Sequence, residues 1–287
     1  ANSRGFFGEY NSSSYSLSVS PIASENGKMQ RDSWYTIHRM FAELETPEAV
    51  GTEAARRAIR RLGAQRVKTQ AAPIVFDPEA AGSLLGILSG AVSGSALYRD
   101  ASYLKDKLGE KIAPAWMTIY DDGRMPGGLG SRPYDGEGLP TRRNTVVDKG
   151  ILSSYLLDTY SARKLKLTST GNASRGIGSG PSVGSTNFYA VSGQHTPEEI
   201  IRSVKQGFYV TDMMGFGVNM VTGDFSRGAV GMWIENGELT YAVDEVTIAG
   251  NLRDMFLNIE MLGNDLIFRG SVSCPTMKIS EMMIAGE

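Results

Sequence analysis

The stretch from Asp77 to Tyr98 constrains the fold most, because it carries no charged residue from Ala80 onward. Asp77 can accept hydrogen bonds from the free N–H groups of a helix start, and Pro78 suits the first helical position. Glycine recurs at every fourth position, at Gly82, Gly86, Gly90 and Gly94. The sequence therefore predicts one helix through Tyr98 with a bare stripe, at a cost of about 3–4 kcal/mol relative to alanine. We expect a backbone or a ligand to approach this stripe closely.

The same stretch raises the question of a membrane span. Nineteen uncharged residues are just long enough to cross a bilayer, and small residues at this spacing occur in membrane helices. Eight of the nineteen residues in Ala80–Tyr98 are Gly or Ser, and neither a basic cluster nor an aromatic belt flanks them. We therefore expect this helix to be buried in protein, with no membrane partner.

Charge and cysteine content narrow the classes of function. The formal net charge is −2 and the pI is near 5.9, which gives no support for binding to nucleic acid. Cys274 is the single cysteine of the chain, so no internal disulfide can form. Its presence is compatible with a reducing compartment, and we expect a cytoplasmic protein.

Short strands and capped helices alternate along the chain. Asn26-Gly27 marks a turn before a strand at Trp34–Ile37, and the chain is rich in strands from Tyr209 onward. Asn251 can cap a helix that we expect to continue to Leu262. These patterns predict an α+β fold with a curved or barrel-like, mostly antiparallel sheet and several flanking helices.

The residues show no recognisable catalytic set. His38 and His195 lie 157 positions apart, and neither has a metal-ligating neighbour in sequence. A nucleophile at Cys274 would need one of these histidines beside it, which the sequence neither indicates nor excludes. We therefore expect neither a bound cofactor nor a metal ion in this chain.

Two glycine-rich segments are candidates for peptide binding. Met125–Gly138 is a long loop of a kind that is usually functional or mobile, and the tract at 168–187 is rich in Gly and Ser. The tract includes Gly171 and Asn172, and its small side chains and free N–H groups suit a loop that lies against a peptide backbone. Further along, Asp224 and Arg227 form either an ion pair or a substrate clamp, and we expect the ion pair.

Three segments resemble one family: ENGKMQRDSWYTI at 25–37, YSARKLKLTSTGNA at 160–173, and GFGVNMVTGDFSRGAVGMWIENGELTYAVDEVTIAGNLRDMFLNIEMLGNDL at 215–266. They are similar to the PmbA/TldE branch of the TldD/PmbA family, which has also been named as a modulator of DNA gyrase. Members of the family extend further at the N-terminus, so the resemblance implies that their first domain is absent from this chain. The resemblance implies that residues 1–70 complete a middle domain and residues 71–287 form the C-terminal domain.

The resemblance also bears on the glycine stretch. In the TldD branch the corresponding helix carries an HExxxH metal motif, and a late cysteine completes the site. Here the two histidine positions fall on Ser89 and Gly94, and the glutamate position falls on Gly90. Cys274 matches the late cysteine only loosely. The resemblance therefore implies a subunit without zinc, paired with a zinc-bearing TldD-like metalloprotease that cleaves small or unfolded peptides, as in the maturation of peptide antibiotics.

Two other functions stay open at this point. One alternative hypothesis is an independent hydrolase that uses Cys274 or a serine from the Gly/Ser loops. The other is a non-enzymatic modulator that binds gyrase or an antitoxin peptide. Pairing of the chain with a second copy of itself is also left open by the sequence.

Overall fold

The computed structural model describes residues 1–3 and 5–287. Its helices are α1 (Pro47–Arg60), α2 (Pro78–Ala91), α3 (Gly94–Leu97), α4 (Thr159–Leu165), α5 (Pro197–Arg202) and α6 (Leu252–Leu257), with a short 3₁₀ helix at Phe41–Glu43. Its strands are β1 (Tyr15–Val19), β2 (Ile22–Glu25), β3 (Lys28–Arg31), β4 (Trp34–His38), β5 (Gln70–Phe76), β6 (Ile119–Asp122), β7 (Arg143–Asp148), β8 (Ile151–Leu152), β9 (Ala173–Ser174), β10 (Ser182–Val183), β11 (Phe188–Ala190), β12 (Gln206–Met214), β13 (Asp224–Glu235), β14 (Glu238–Asn251), β15 (Ile259–Leu262), β16 (Val272–Ser273) and β17 (Met277–Ala285).

Five of these strands, β5, β12, β13, β14 and β17, form a closed barrel. β5 runs parallel to β12 and antiparallel to β17, while β13 lies between β12 and β14 in two antiparallel ladders. A short antiparallel ladder that joins β14 to β17, from Thr247↔Ala285 to Ala249↔Met283, closes the ring. Closure removes the exposed edges that an open sheet would present. The prediction of a barrel-like, mostly antiparallel sheet with flanking helices is confirmed.

A second sheet of five strands, in the order β16-β11-β6-β7-β8, lies beside the barrel. Helix α2 contacts β5 and β12 of the barrel, as well as β11 and β16 of the second sheet. Its buried face includes Ala81, Leu84, Leu85 and Leu88, which are at most 1% exposed. The spacing of these residues is that of one apolar helix face. Helix α2 is therefore the element around which both sheets are arranged.

The N-terminal part consists of two strand pairs and one helix. β1 pairs with β4, β2 pairs with β3, and α1 packs against them. The Thr46 hydroxyl accepts a hydrogen bond from the N–H of Ala49 at 3.2 Å, and Pro47 occupies the first position of α1. This start follows the cap preference expected from the sequence.

The prediction of one helix from Pro78 to Tyr98 is wrong. α2 ends at Ala91, and α3 begins at Gly94 after an extended residue, Ser93. The N–H of Gly94 donates to the carbonyl of Leu156 at 2.8 Å, and the N–H of Leu156 donates to the carbonyl of Val92 at 3.0 Å. The backbone at this break therefore pairs with a distant segment instead of continuing the helical ladder.

The predicted helix from Asn251 to Leu262 is also too long. α6 ends at Leu257, and Ile259 starts β15, which pairs with β17 through Ile259↔Ile279. Ile259 is buried in β15, and a buried apolar residue fits the spacing of a helix as well as that of a strand, so the apolar pattern alone did not separate the two. Within the described residues, none of the helices is long and apolar enough to cross a membrane.

Candidate functional site

Helix α2 starts at an anchored N-cap. Asp77 Oδ1 accepts the N–H of Ala80 at 2.9 Å, and Oδ2 accepts Arg57 Nη2 of α1 at 3.4 Å. Arg57 also contacts Asp32 at 3.4 Å, and its guanidinium lies 4.9 Å from the centroid of the Trp34 ring. Burial raises the pKa of Asp77 to about 6, against the opposing effects of the Ala80 hydrogen bond and the Arg57 charge. The N-terminal part therefore holds the first turn of α2 through a buried charged contact.

The glycine stripe is open along most of its length. A Cβ built on Gly86 would meet no atom within 4 Å, and on Gly82 it would meet only the Val272 carbonyl oxygen at 3.8 Å. On Gly90 it would meet only Met220 Cε, at 3.6 Å. The absence of side chains is therefore not required by packing within the chain at these three positions.

Gly94 is in a different situation, because it packs tightly. A Cβ at this position would lie 2.6 Å from Ser161 Cβ and 2.7 Å from Leu157 Cδ2. Leu157 lies just before α4, and Ser161 lies in its first turn. Any side chain at position 94, including a histidine, would need this segment to move.

The positions of the family metal motif lie on both sides of the helix break. Ser89 is half-buried and Gly90 is exposed on the last turns of α2, whereas Gly94 is buried at the start of α3. In the described part of the chain, no three His, Cys, Asp or Glu side chains are grouped so that they can hold a metal ion. Ser89 supplies one hydroxyl group at these positions, and Gly90 and Gly94 supply no side chain.

Cys274 lies near the other end of α2. With Glu79, Gly82 and Ser83 it lines a cavity of about 250 Å³, whose lining does not include Ser89. Ser89 lies seven positions after Gly82, which corresponds to roughly 10 Å along a helix. The structure therefore does not bring Cys274 together with the other positions of the motif.

The environment of Cys274 opposes reactivity. Its side chain is 1% exposed, and burial, together with the charge of Asp265, raises the pKa of the thiol far above its usual range. A thiol in such surroundings is inert as a nucleophile.

The two histidines bond elsewhere. His38 Nδ1 accepts the N–H of Met40 at 3.1 Å, and His195 Nδ1 lies 3.8 Å from Glu199 Oε2. Neither histidine lines the Cys274 cavity.

Tyr35 of β4 lines the Cys274 cavity from the N-terminal part. The Tyr35 hydroxyl donates to Glu79 Oε2 at 3.0 Å, and burial together with the Glu79 charge raises the pKa of Tyr35 to about 12. Arg269 donates to Glu45 Oε1 at 2.8 Å and lies over the Trp34 ring at 4.1 Å. Sequence reasoning identified this strand but not its contact with α2, which only the tertiary structure reveals.

The expected ion pair of Asp224 and Arg227 is wrong. Within the described residues they form no salt bridge, since side chains three positions apart in a strand point to opposite faces. Asp224 accepts from Thr222 and Asn251, whereas Arg227 Nη1 donates to Ser83 Oγ at 3.2 Å. The alternation of a strand would have indicated this separation. Arg227 therefore lies beside the open face of α2, and its role as a clamp stays a prediction.

Gly171 and Asn172 lie inside the loop packing. Gly171 has a φ of +74°, which a residue with a side chain rarely adopts. Asn172 is fully buried; its amide nitrogen donates to Asp121 Oδ2 at 2.6 Å, and its amide oxygen accepts from Asn144 at 3.1 Å. Burial raises the pKa of Asp121. These two residues hold neighbouring loops together, and direct contact with a peptide stays a prediction.

The two glycine-rich segments meet at a large open cavity of about 1050 Å³, which we call the loop cavity. Residues from the N-terminal segment, from 132–139, from α4 and from 167–181 line it. The rings of Phe6 and Tyr134 form an edge-to-face pair with centroids 4.8 Å apart, and Tyr10 lies 5.5 Å from Tyr134. Sequence reasoning singled out both glycine-rich segments, but not the cavity that they form together.

Family models match most of the chain. The model described as the PmbA/TldA metallopeptidase central domain matches residues 1–62, and that described as the PmbA/TldA metallopeptidase C-terminal domain matches residues 69–286. The chain is 44% identical to the metalloprotease PmbA of Escherichia coli O157:H7 over 287 residues, which is 100% of this chain and 62% of that protein. The chain therefore spans less than two thirds of this relative's length.

Solved structures agree with the sequence comparison. A Bacteroides thetaiotaomicron protein named "putative modulator of DNA gyrase" matches with a TM-score of 0.90 and 32% identity, over 99% of this chain and 63% of that one. TldE from Thermococcus kodakarensis matches with a TM-score of 0.87 and 26% identity, over 95% and 63% of the two chains. The resemblance stated from the sequence is confirmed, and the chain belongs to the PmbA/TldD family of metallopeptidases.

Proposed function

We propose that this chain is the non-catalytic subunit of a two-component metallopeptidase that acts on small or unfolded peptides. Its partner is a TldD-like subunit, which carries the zinc ion and the catalytic residues. The partner's helix supplies the HExxxH motif, and this chain contributes a peptide-binding surface of matching shape. We place this assembly in the cytoplasm.

The observation that carries the proposal is the chemistry of three positions. Ser89, Gly90 and Gly94 offer no imidazole and no carboxylate, so the chain has neither the nitrogen ligands nor the general base of a zinc peptidase at these positions. At Gly94 the space that a side chain would occupy is filled by Ser161 and Leu157 of this same chain. The packing at this position therefore favours glycine itself, independently of any ligand.

The open part of the glycine stripe supports a binding role. Gly82, Gly86 and Gly90 keep a helix face bare without any need from the chain's own packing. A bare face of this kind allows a second backbone to approach closely, and it is costly in helix propensity. Arg227 lies beside this face through its bond to Ser83 and adds a positive charge. These features suit a peptide main chain or the partner subunit.

The test combines metal analysis with a peptidase assay. We expect the purified chain to contain far less than one zinc ion per molecule and to leave an unfolded fluorogenic peptide intact. Addition of a TldD-like partner is expected to start cleavage and to bring zinc into the complex. Stoichiometric zinc in the chain alone, or cleavage without the partner, would contradict the proposal.

A Cys274→Ala variant separates this proposal from an independent thiol hydrolase. Because the thiol is buried and held protonated, we expect the variant to support the partner's activity within about twofold of the parent. Loss of activity with unchanged assembly of the two subunits would instead identify Cys274 as a working residue.

A further inference from the structure

The acidic side chains along the loop cavity are already occupied. Asp135 Oδ1 accepts the N–H groups of Glu137 and Leu139 at 2.9 Å each, and its Oδ2 accepts the N–H of Ala173 at 3.1 Å. The Glu137 carboxylate accepts both the N–H of Thr159, at 2.8 Å, and the Thr159 hydroxyl. Both carboxylates therefore act as internal acceptors that fix the loops and the start of α4.

The arginines along the same cavity are mostly unoccupied. Arg163 and Arg175 are exposed, and among residues 1–3 and 5–287 each guanidinium bonds through Nε alone, to the backbone carbonyls of Thr159 at 3.3 Å and of Ser179 at 3.0 Å. Arg132 lines the cavity too, and its Nε and Nη2 are buried without an acceptor among the described residues. A buried donor without an acceptor costs about 1–3 kcal/mol, and more when it is charged. The cavity thus offers cationic donors while its own anions are satisfied.

An apolar wall adjoins these donors. The Phe6–Tyr134 ring pair lines the cavity together with Leu167 and Ile177, and Ile177 is fully exposed to solvent. A volume of about 1050 Å³ is at the upper end of what single small ligands occupy. The combination of guanidinium groups and apolar side chains matches a peptide segment that carries a negative charge beside an apolar residue.

We infer that the loop cavity binds a peptide through one of its carboxylates, with Arg163 and Arg175 as donors and the Phe6–Tyr134 pair as the apolar wall. A guanidinium presents two parallel N–H groups that fit a carboxylate in a bidentate manner. The carboxylate is either the C-terminus of the peptide or an acidic side chain within it. This inference rests on the proposed function, because it names the class of peptide that the subunit holds.

The experiment measures the anisotropy of three fluorescein-labelled hexapeptides on binding to the purified chain. The first has an alanine- and leucine-rich sequence with a free C-terminal carboxylate, and the second is the same peptide with a C-terminal amide. The third is the amide with one internal glutamate. We expect the first or the third to bind about tenfold more tightly than the second, and the stronger of the two identifies the source of the carboxylate.

The variant Arg163→Gln/Arg175→Gln tests the donors directly. Both side chains are exposed, so we expect the fold and the thermal midpoint to be retained. Binding of the carboxylate peptide is expected to fall about tenfold, to the level of the amide. Lys164→Gln is the matched control, because Lys164 lies on the same helix and does not line the cavity. It is expected to change binding by less than about twofold.

Three results would overturn the inference while leaving the proposed function in place. The first is equal binding of the carboxylate and amide peptides, and the second is unchanged binding after replacement of both arginines. The third is absence of binding by all three peptides. The proposed function has its own readout in zinc content and partner-dependent cleavage, so the failure of one is distinguishable from the failure of the other.

Discussion

Gly86 and Gly94 belong to the same uncharged stretch, yet a methyl group added to each would meet different surroundings. At Gly86 it would meet open space, whereas at Gly94 it would collide with Ser161 and Leu157. The first glycine keeps a surface free for another molecule, and the second allows two segments of the chain to pack. A regular spacing of one residue type therefore does not imply a single physical role. The variants below test this contrast along α2, from its anchored start to its broken end.

Replacement of Asp77 by alanine is expected to have the largest effect. The variant loses the N-cap bond to Ala80 and removes one of the two carboxylates that contact Arg57 in the described part of the chain, so that Asp32 remains. Removing one partner of a buried ion pair typically costs 3–5 kcal/mol, and because Asp32 remains we expect about 3 kcal/mol. Urea unfolding measures this loss, and Glu53→Ala, which removes a partly exposed ion pair with Arg56 on α1, is the control. A loss below about 1 kcal/mol would show that the buried contact does not anchor α2.

Stability is expected to depend on pH through the same carboxyl group. The pKa of Asp77 is raised from 3.8 to about 6 in the folded chain, so the unfolded chain releases this proton first as the pH rises. The free energy of unfolding therefore falls between pH 4 and pH 6, by up to roughly 3 kcal/mol from this group. Urea unfolding across this range should show the decrease. Asp77→Asn should remove this part of the slope, and an unchanged slope would assign it to other groups.

Gly94→Ala is expected to destabilise the protein by about 1–3 kcal/mol, the usual cost of overpacking a buried site. Its added methyl group would press on Ser161 and Leu157, and the backbone bond from Gly94 to Leu156 resists a compensating shift. The midpoint of chemical unfolding measures the effect. Partial recovery in the Gly94→Ala/Ser161→Gly double variant would locate the clash at Ser161. A neutral Gly94→Ala variant would contradict the tight packing.

Gly86→Ala is expected to change stability least and in the opposite direction. Since an added methyl group meets nothing within 4 Å, only the higher helix propensity of alanine acts, which gives a gain of about 0.5–1 kcal/mol. Thermal unfolding is the measurement. The proposed function places the TldD-like partner or a peptide against this open face. We therefore expect the same variant to weaken association with whichever of the two binds there. A loss of stability would show that this face is packed.

The sequence predicts the start of α2 well and its end poorly. Asp77 and Pro78 act locally, so the cap and first turn follow from the residues themselves. The break after Ala91 depends on Leu156, which is far away in sequence and pairs with the backbone there. Local pattern carries no information about such a partner. The boundary was therefore accessible only from the tertiary structure.

The candidate site divides in the same way. The identity of Ser89, Gly90 and Gly94 indicates the missing metal ligands without any structure, because chemistry follows directly from residue type. The occupied carboxylates and free guanidinium groups of the loop cavity are different, since they depend on hydrogen bonds such as that from Ala173 to Asp135. The sequence identifies the charged residues. It does not show which of their side chains are already hydrogen-bonded within the chain and which can still bond to a ligand.

Closure of the barrel has a consequence for how this chain reaches its native state. β5 pairs on one side with β12 and on the other with β17, so that Gln70 faces Ile284 in the same ladder that holds Phe76 opposite Met277. Contacts between residues so distant in sequence slow folding, because a large loop must be ordered before they form. The edge of β5 that faces β17 therefore has no partner strand until residues 277–285 have been synthesised and have folded back. An unpaired apolar strand edge of this kind is prone to aggregation while folding is incomplete.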